Sequence, residues 1–123
     1  MYCLRVFDYF SSAHFLNGYR GKCEALHGHN WKVEAEVEGE KLDTVGMLID
    51  FKSLKEILRN ILNRLDHCLL NDIEEFKDSN PSAELIAEFI FNQLREQIPE
   101  GIRVSKISVW ESERSQAIYY ENK

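Results

Sequence analysis

His27-Gly28-His29-Asn30-Trp31-Lys32-Val33-Glu34-Ala35-Glu36-Val37-Glu38 alternates without a break. His27, His29, Trp31, Val33, Ala35 and Val37 share one parity, while Lys32, Glu34, Glu36 and Glu38 share the other. Successive side chains of a strand point to opposite faces, so this segment reads as a strand with a covered face and a wet face. Upstream, Tyr2 to about Ser12 is rich in β-branched and aromatic residues and reads as a second strand. The glycines of Asn17-Gly18-Tyr19-Arg20-Gly21 make the connection between them a loop.

Downstream of a turn near Gly46, Leu54, Ile57, Leu58, Ile61, Leu62 and Leu65 fall at helical spacing, with Asp50 or Ser53 available as a cap. A polar stretch then runs to Asn80-Pro81, where a capping residue followed by proline opens a second helix carrying Leu85, Ile86, Phe89, Ile90 and Leu94 and stopping before Pro99. Arg103 to Glu111 alternates again, with Ser105, Ile107, Val109 and Glu111 on one side, and Ala117 to Tyr120 forms a fourth short strand. The order ββααββ predicts an α+β fold, a four-stranded antiparallel sheet covered by two helices. Such a sheet is closed on neither side, and pairing its edges with other copies would remove them, which points to a homo-oligomer.

A chain of 123 residues, 44% hydrophobic and 29% charged, has the size of one globular domain spanning 1–123 with one core. The cysteines Cys3, Cys23 and Cys68 are odd in number and sparse, which favours reduced thiols over a disulfide framework. With no basic-then-apolar leader and no apolar run long enough for a membrane span, a cytoplasmic protein without a membrane partner is expected. A net charge of −6 argues against nucleic acid as a partner. An anionic small molecule would need a local basic patch, which Arg20 and Lys22 around Gly21 could supply.

The chemistry concentrates in His27-Gly28-His29. Residues two apart on a strand project to one face about 7 Å apart, so two imidazoles can converge on one ion, with Gly28 removing bulk between them. His14, at the end of the preceding strand, becomes a third ligand if the two strands pair. Three histidines with an open position is the arrangement of catalytic zinc; the plain alternative is polar residues at a strand end. Cys23, beside Lys22 and four residues before His27, would have a lowered pKa near a cation or metal and could serve as base or nucleophile, whereas Cys3 and Cys68 read as small buried apolar residues. Asp66-His67 could be a carboxylate-oriented proton carrier, or Asp66 could cap the helix end. Glu111 is either a solvated strand end or a covered carboxylate suited to a planar ligand with two N–H donors.

Taken together, Cys23-Glu24-Ala25-Leu26-His27-Gly28-His29-Asn30 with His14 upstream, Gly46-Met47-Leu48-Ile49-Asp50-Phe51, Leu65-Asp66-His67, Asn80-Pro81-Ser82-Ala83-Glu84 and Trp110-Glu111-Ser112 resemble the 6-pyruvoyl-tetrahydropterin synthase family, most closely its 6-carboxy-tetrahydropterin synthases. The resemblance runs from about Phe7 to Tyr120. It implies a tunnelling fold, in which three subunits close a barrel, two trimers stack as a hexamer, and active sites lie between subunits. It also implies one Zn2+ per subunit held by His14, His27 and His29, proton transfer by Cys23, Asp66 and His67, and Glu111 as the anchor for the pterin ring. The implied reaction converts 7,8-dihydroneopterin triphosphate to 6-carboxy-tetrahydropterin with loss of acetaldehyde and triphosphate, in queuosine synthesis. Three residues separate Cys23 from His27, as in the carboxy branch, where pyruvoyl enzymes usually have five. Glu24 resembles the glutamate of a folate-making branch that releases 6-hydroxymethyl-dihydropterin. Pro81-Ser82-Ala83-Glu84 stands where the family usually has Pro-Thr-Ser-Glu, so Ser82 keeps one of two hydroxyls for substrate. Arg20 and Lys22 are candidate triphosphate contacts from their charge.

Two other classes compete. A zinc-stapled binding scaffold would close its metal shell permanently with Cys23 or Glu24 and would unfold on chelation. A zinc hydrolase would use Glu24 as general base.

Overall fold

The computed structural model describes residues 1–18 and 25–122. Arg20, Lys22, Cys23 and Glu24 lie outside the described residues. The strands β1 (Tyr2–His14) and β2 (His27–Gly39), the helices α1 (Phe51–Asn63) and α2 (Ala83–Gln97), and the strands β3 (Ile102–Ser112) and β4 (Ser115–Tyr119) follow in the predicted order, with two short 3-10 turns between the helices. The sheet is antiparallel in the order β1-β2-β3-β4. No described helix is long and apolar enough to cross a membrane.

The alternation in β2 is realised directly. Trp31, Val33, Ala35 and Val37 are buried and face the helices. Leu54, Leu58, Leu62 and Leu65 come down from α1 and its exit onto that face, all fully buried. Each such side chain contributes about 1.5–3 kcal/mol over leaving it exposed, so packing of the apolar stripe, more than propensity, holds α1 in place. Asp50, rather than Ser53, caps it, accepting from the Lys52 amide at 2.8 Å. Gly39 closes β2 where a Cβ would lie 2.6 Å from Leu48 Cδ1.

Four expectations change. The cap of α2 is Ser82, whose hydroxyl accepts from the Leu85 amide at 3.2 Å. Asn80 is spent elsewhere, exchanging hydrogen bonds of 2.8 and 2.9 Å with the Asn17 backbone. Ser105 does not share the face of Ile107 and Val109. The register between β2 and β3 slips at Glu36/Val37, Ser105 is the extra residue, and its hydroxyl bonds Glu36 Oε2 at 2.6 Å. A bulge of this kind shifts side-chain parity, so Val104 and Ile107 both turn to the core. Cys3 is exposed, because its parity on β1 is that of the outward residues; Cys68 is half-buried against the core. Gly28 is not needed to clear space between imidazoles: it faces away from them, and a Cβ there would meet only the Ser12 carbonyl at 3.9 Å.

Candidate metal centre and proton relay

Strand register assembles the first cluster. His14 lies directly opposite His27, and Ser12 opposite His29, so three imidazoles from two strands share one end of the covered face. Their ring centroids are 4.5, 4.6 and 5.5 Å apart. The floor is Trp31, fully buried, with ring centroids 4.9 Å from His14 and 5.2 Å from His29. Glu111, two residues beyond Val109 on the covered parity of β3, brings its carboxylate to 3.5 Å from His29 Nε2 and 3.7 Å from His14 Nε2.

Hydrogen bonding fixes which ring atoms face inward. His14 Nδ1 lies 2.8 Å from the Pro81 carbonyl and His27 Nδ1 2.7 Å from the Ala25 carbonyl. A carbonyl only accepts, so both Nδ1 atoms carry the proton, and in the neutral rings both Nε2 atoms present lone pairs. Those two Nε2 atoms are 3.0 Å apart, a repulsive contact unless a cation or a further proton sits between them. His29 Nε2 is buried with no hydrogen-bond partner among the described residues. Burial holds His14 and His29 below the usual imidazole pKa, partly opposed by the Glu111 charge, so near neutral pH both rings offer lone pairs.

The four donor atoms lie within 4.8 Å of one another. Ligands of a tetrahedral zinc at 2.0–2.1 Å are themselves about 3.3 Å apart, close to the spacings found here. Three imidazoles and one carboxylate form a zinc-type donor set, and backbone carbonyls on the far ring nitrogens are the usual outer support of metal-binding histidines. The residues therefore fit a divalent metal. Glu111 stands among the donors, which its position in the sequence did not reveal.

The second cluster hangs on the free edge of β1. Beyond α1 the chain turns back along that strand, with the His67 amide donating to the Ser11 carbonyl at 2.6 Å and the Ala13 amide to the Cys68 carbonyl at 3.1 Å. His67 has φ 53°, a left-handed conformation that costs a non-glycine residue about 1–3 kcal/mol and persists only where its surroundings impose it. Asp66 does not cap the helix. Its Oδ1 accepts from the Ser11 amide at 2.8 Å and lies 3.0 Å from His67 Nδ1, so these sequence neighbours do bond. The Ser11 amide, with the charges of His67 and Arg59 behind it, depresses the Asp66 pKa. The His67 side chain is 82% exposed.

Sequence reasoning missed Arg59. From α1 it reaches the Tyr9 carbonyl at 3.0 Å, Asp8 at 3.2 Å and Asp66 Oδ2 at 3.5 Å, tying the Asp66 carboxylate to β1. Helical spacing gives it two turns before Asp66 but carries no sign that both meet the same strand. No contact among the described residues joins His67 to the histidine cluster. Ser82 sits beside Pro81, whose carbonyl holds His14, and its hydroxyl serves as the α2 cap. Glu111 also lines an open cleft of about 380 Å³, together with Ala83, Glu84 and residues 115–118.

The sequence model described as 6-pyruvoyl tetrahydropterin synthase matches residues 3–122. The 6-carboxy-5,6,7,8-tetrahydropterin synthase of Haemophilus influenzae is 34% identical, over 91% of this chain and 94% of its own. The dihydroneopterin monophosphate aldolase of Pyrococcus furiosus is 36% identical over 72% of each chain. Among solved structures, the 6-pyruvoyl tetrahydropterin synthase of Caenorhabditis elegans superposes with a TM-score of 0.87 at 27% identity, covering 98% of this chain and 96% of the other. The ordered motifs, the ββααββ sheet and these matches agree: the chain belongs to the 6-pyruvoyl tetrahydropterin synthase family and has its tunnelling fold.

Proposed function

We propose that the chain, acting as one domain over 1–123, is a zinc-dependent 6-carboxy-tetrahydropterin synthase of the cytoplasm. Its substrate in this reading is 7,8-dihydroneopterin triphosphate, and its products are 6-carboxy-tetrahydropterin, acetaldehyde and triphosphate, as an early step of queuosine synthesis. The observation that carries the reading is the convergence of three imidazole nitrogens and a carboxylate beside an open cleft.

One Zn2+ per subunit, held by His14, His27 and His29, would polarise the hydroxyls of the substrate side chain as a Lewis acid. The protein groups do the rest. Glu111 accepts from the N–H groups of the pterin ring edge and fixes its orientation. Cys23 removes a proton from the side chain. His67 exchanges protons through Nε2, because its Nδ1–H donates to Asp66 and that bond sets the tautomer. Arg20 and Lys22 offset the triphosphate charge, and the hydroxyl proton of Ser82 remains available to a substrate oxygen. The chain assembles as a homo-oligomer, a trimer or a dimer of trimers, with sites shared between subunits.

A second reading has a specific basis: Glu24 follows Cys23 directly, and the Pyrococcus furiosus relative is named as an aldolase acting on a dihydroneopterin phosphate. A glutamate there would release 6-hydroxymethyl-dihydropterin. The test is incubation of the zinc-loaded protein, wild type and Cys23→Ala in parallel, with 7,8-dihydroneopterin triphosphate and mass spectrometry of the products. A 6-carboxy product lost in the variant supports the first reading, whereas a 6-hydroxymethyl or 6-pyruvoyl product moves the chain to another branch. No turnover by metal-loaded protein would leave a zinc-stapled scaffold.

A further inference from the structure

We propose that Glu111 is the fourth metal ligand of the pterin-free protein, and that pterin binding takes its carboxylate off the ion. The inference deepens the reading above and rests on it for the second half alone.

Among the described residues Glu111 makes no hydrogen bond, and its only ion-pair neighbours are His14 and His29. A half-buried carboxylate without a hydrogen bond is incompletely satisfied. Its separations of 3.5 and 3.7 Å are too long for charge-assisted hydrogen bonds, which run about 2.7–2.9 Å. They match the edge of a coordination tetrahedron, about 3.3 Å. One divalent ion inside the group resolves three oddities together: the facing Nε2 atoms of His14 and His27, the Nε2 of His29 without a hydrogen bond, and a carboxylate held beyond hydrogen-bond reach of both rings beside it.

The same carboxylate borders the cleft lined by Ala83, Glu84 and residues 115–118. It can therefore turn from the ion to the N–H edge of a ring entering that cleft. Pairing with two N–H donors replaces the ligand bond, and the fourth position becomes free for the substrate's own oxygen as the ring arrives. A single residue thereby couples ring recognition to opening of the metal, and closes the metal to competing ligands when no pterin is present.

Cobalt(II) tests this, since its d–d bands report coordination. Stripped wild type, Glu111→Ala and Glu111→Gln are titrated with Co2+ alone and compared for affinity and band position, with circular dichroism checking the fold. The expected result is shifted bands in Glu111→Ala and an affinity lower by at least about 10–100-fold, the loss that removal of an outer partner of a metal ligand already causes. Equal affinity and unchanged bands in both variants overturn the ligand assignment. So does a thiolate-to-cobalt charge-transfer band in wild type that disappears in Cys23→Ala, which gives the fourth place to Cys23.

Release is then followed by adding 7,8-dihydroneopterin, which lacks the triphosphate leaving group, to cobalt-loaded wild type. Binding is read separately by pterin fluorescence. Bands that move on binding in wild type support release. Bands unmoved by bound pterin overturn release alone, and pterin that does not bind overturns release together with the pterin-synthase reading.

Discussion

Replacing Trp31 by phenylalanine tests whether one residue supports both the core and the candidate metal centre. The indole is fully buried, stacks on Phe10 at 5.7 Å with the planes 5° apart, and donates from Nε1 to the Ser12 carbonyl at 3.2 Å. Phenylalanine keeps the stack and loses the donor, which costs about 1 kcal/mol for a buried hydrogen bond. The missing part of the ring removes apolar contact and leaves a small cavity, about another 1–2 kcal/mol. The expected loss is about 2–3 kcal/mol in urea unfolding, measured with chelator present so that no metal contributes, and at fixed protein concentration because an assembly's stability depends on it. The ring also braces His14 and His29, so metal affinity should fall by about 10–100-fold, as for other outer supports of metal ligands. Trp110→Phe is the control. Trp110 lies on the other face with the Lys32 amine 4.8 Å from its ring centroid, a contact worth about 0.5–1 kcal/mol at an exposed site, and it should leave metal affinity unchanged. A Trp31→Phe loss under about 1 kcal/mol, or equal metal affinity in the two variants, would show that the indole does not support both.

The folded pKa of Asp66 is depressed, chiefly by the Ser11 amide, so its contribution to stability exists above the unfolded carboxyl pKa and fades as pH falls through the folded one. Asp66→Asn should thus be less stable by about 1 kcal/mol at pH 7, with the gap closing below about pH 4; equal gaps in urea unfolding at both pH values would contradict this. His14 and His29 are held below the ordinary imidazole pKa of about 6.5, so metal release, followed with a chromophoric chelator, should have its midpoint below that pH. Inactive Cys23→Ala and His67→Ala proteins, co-assembled, should regain part of the activity, and none if each site comes from one chain. Phe7→Pro should leave the monomer fold intact by circular dichroism but reduce the assembled mass in light scattering, because its amide points off the free edge of β1; an assembly of unchanged mass argues against pairing through that edge.

Period-two alternation in β2 made the covered face, and with it the direction of His27 and His29, legible directly, since strand geometry translates parity into facing without further information. The stripe from Leu54 to Leu65 did the same for α1. Elsewhere the sequence was ambiguous for physical reasons. Val104, Ser105 and Ile107 fit either parity until the slip opposite Glu36 decides between them. Asn80 and Ser82 are both good caps, and the choice falls to Ser82 because the Asn17 backbone occupies the Asn80 side chain. Glu111 could be a solvated strand end or a functional carboxylate, and only the lateral placement of β3 against β2 carries it to His14 and His29. The relation of Arg59 to Asp66 depends on the path of β1 past α1, which no local pattern encodes.

The two clusters share β1 but leave it in different directions. His14 turns inward to the core face, whereas Ser11, one parity removed, uses its outward backbone groups to hold Asp66 and His67. Asp66 fixes the His67 ring through Nδ1, and the Ser11 carbonyl holds its amide, so turning the ring onto its own chain's histidine cluster would give up the Asp66 contact. In the proposed reaction, a substrate lying on Glu111 and the histidines would be served by a His67 that arrives already held, from another copy. The edge of β1 permits this. Its outward groups from Tyr9 to Ala13 are occupied by Arg59, Asp66, His67 and Cys68. Those of Cys3, Arg5 and Phe7 have no backbone partner among the described residues, and this short run is comparable in length to β4 at the opposite edge, Ser115–Tyr119. An assembly joining these two edges would extend the sheet, remove its unpaired edges, and keep the exposed His67 beside the junction, where a neighbouring copy's cleft could meet it.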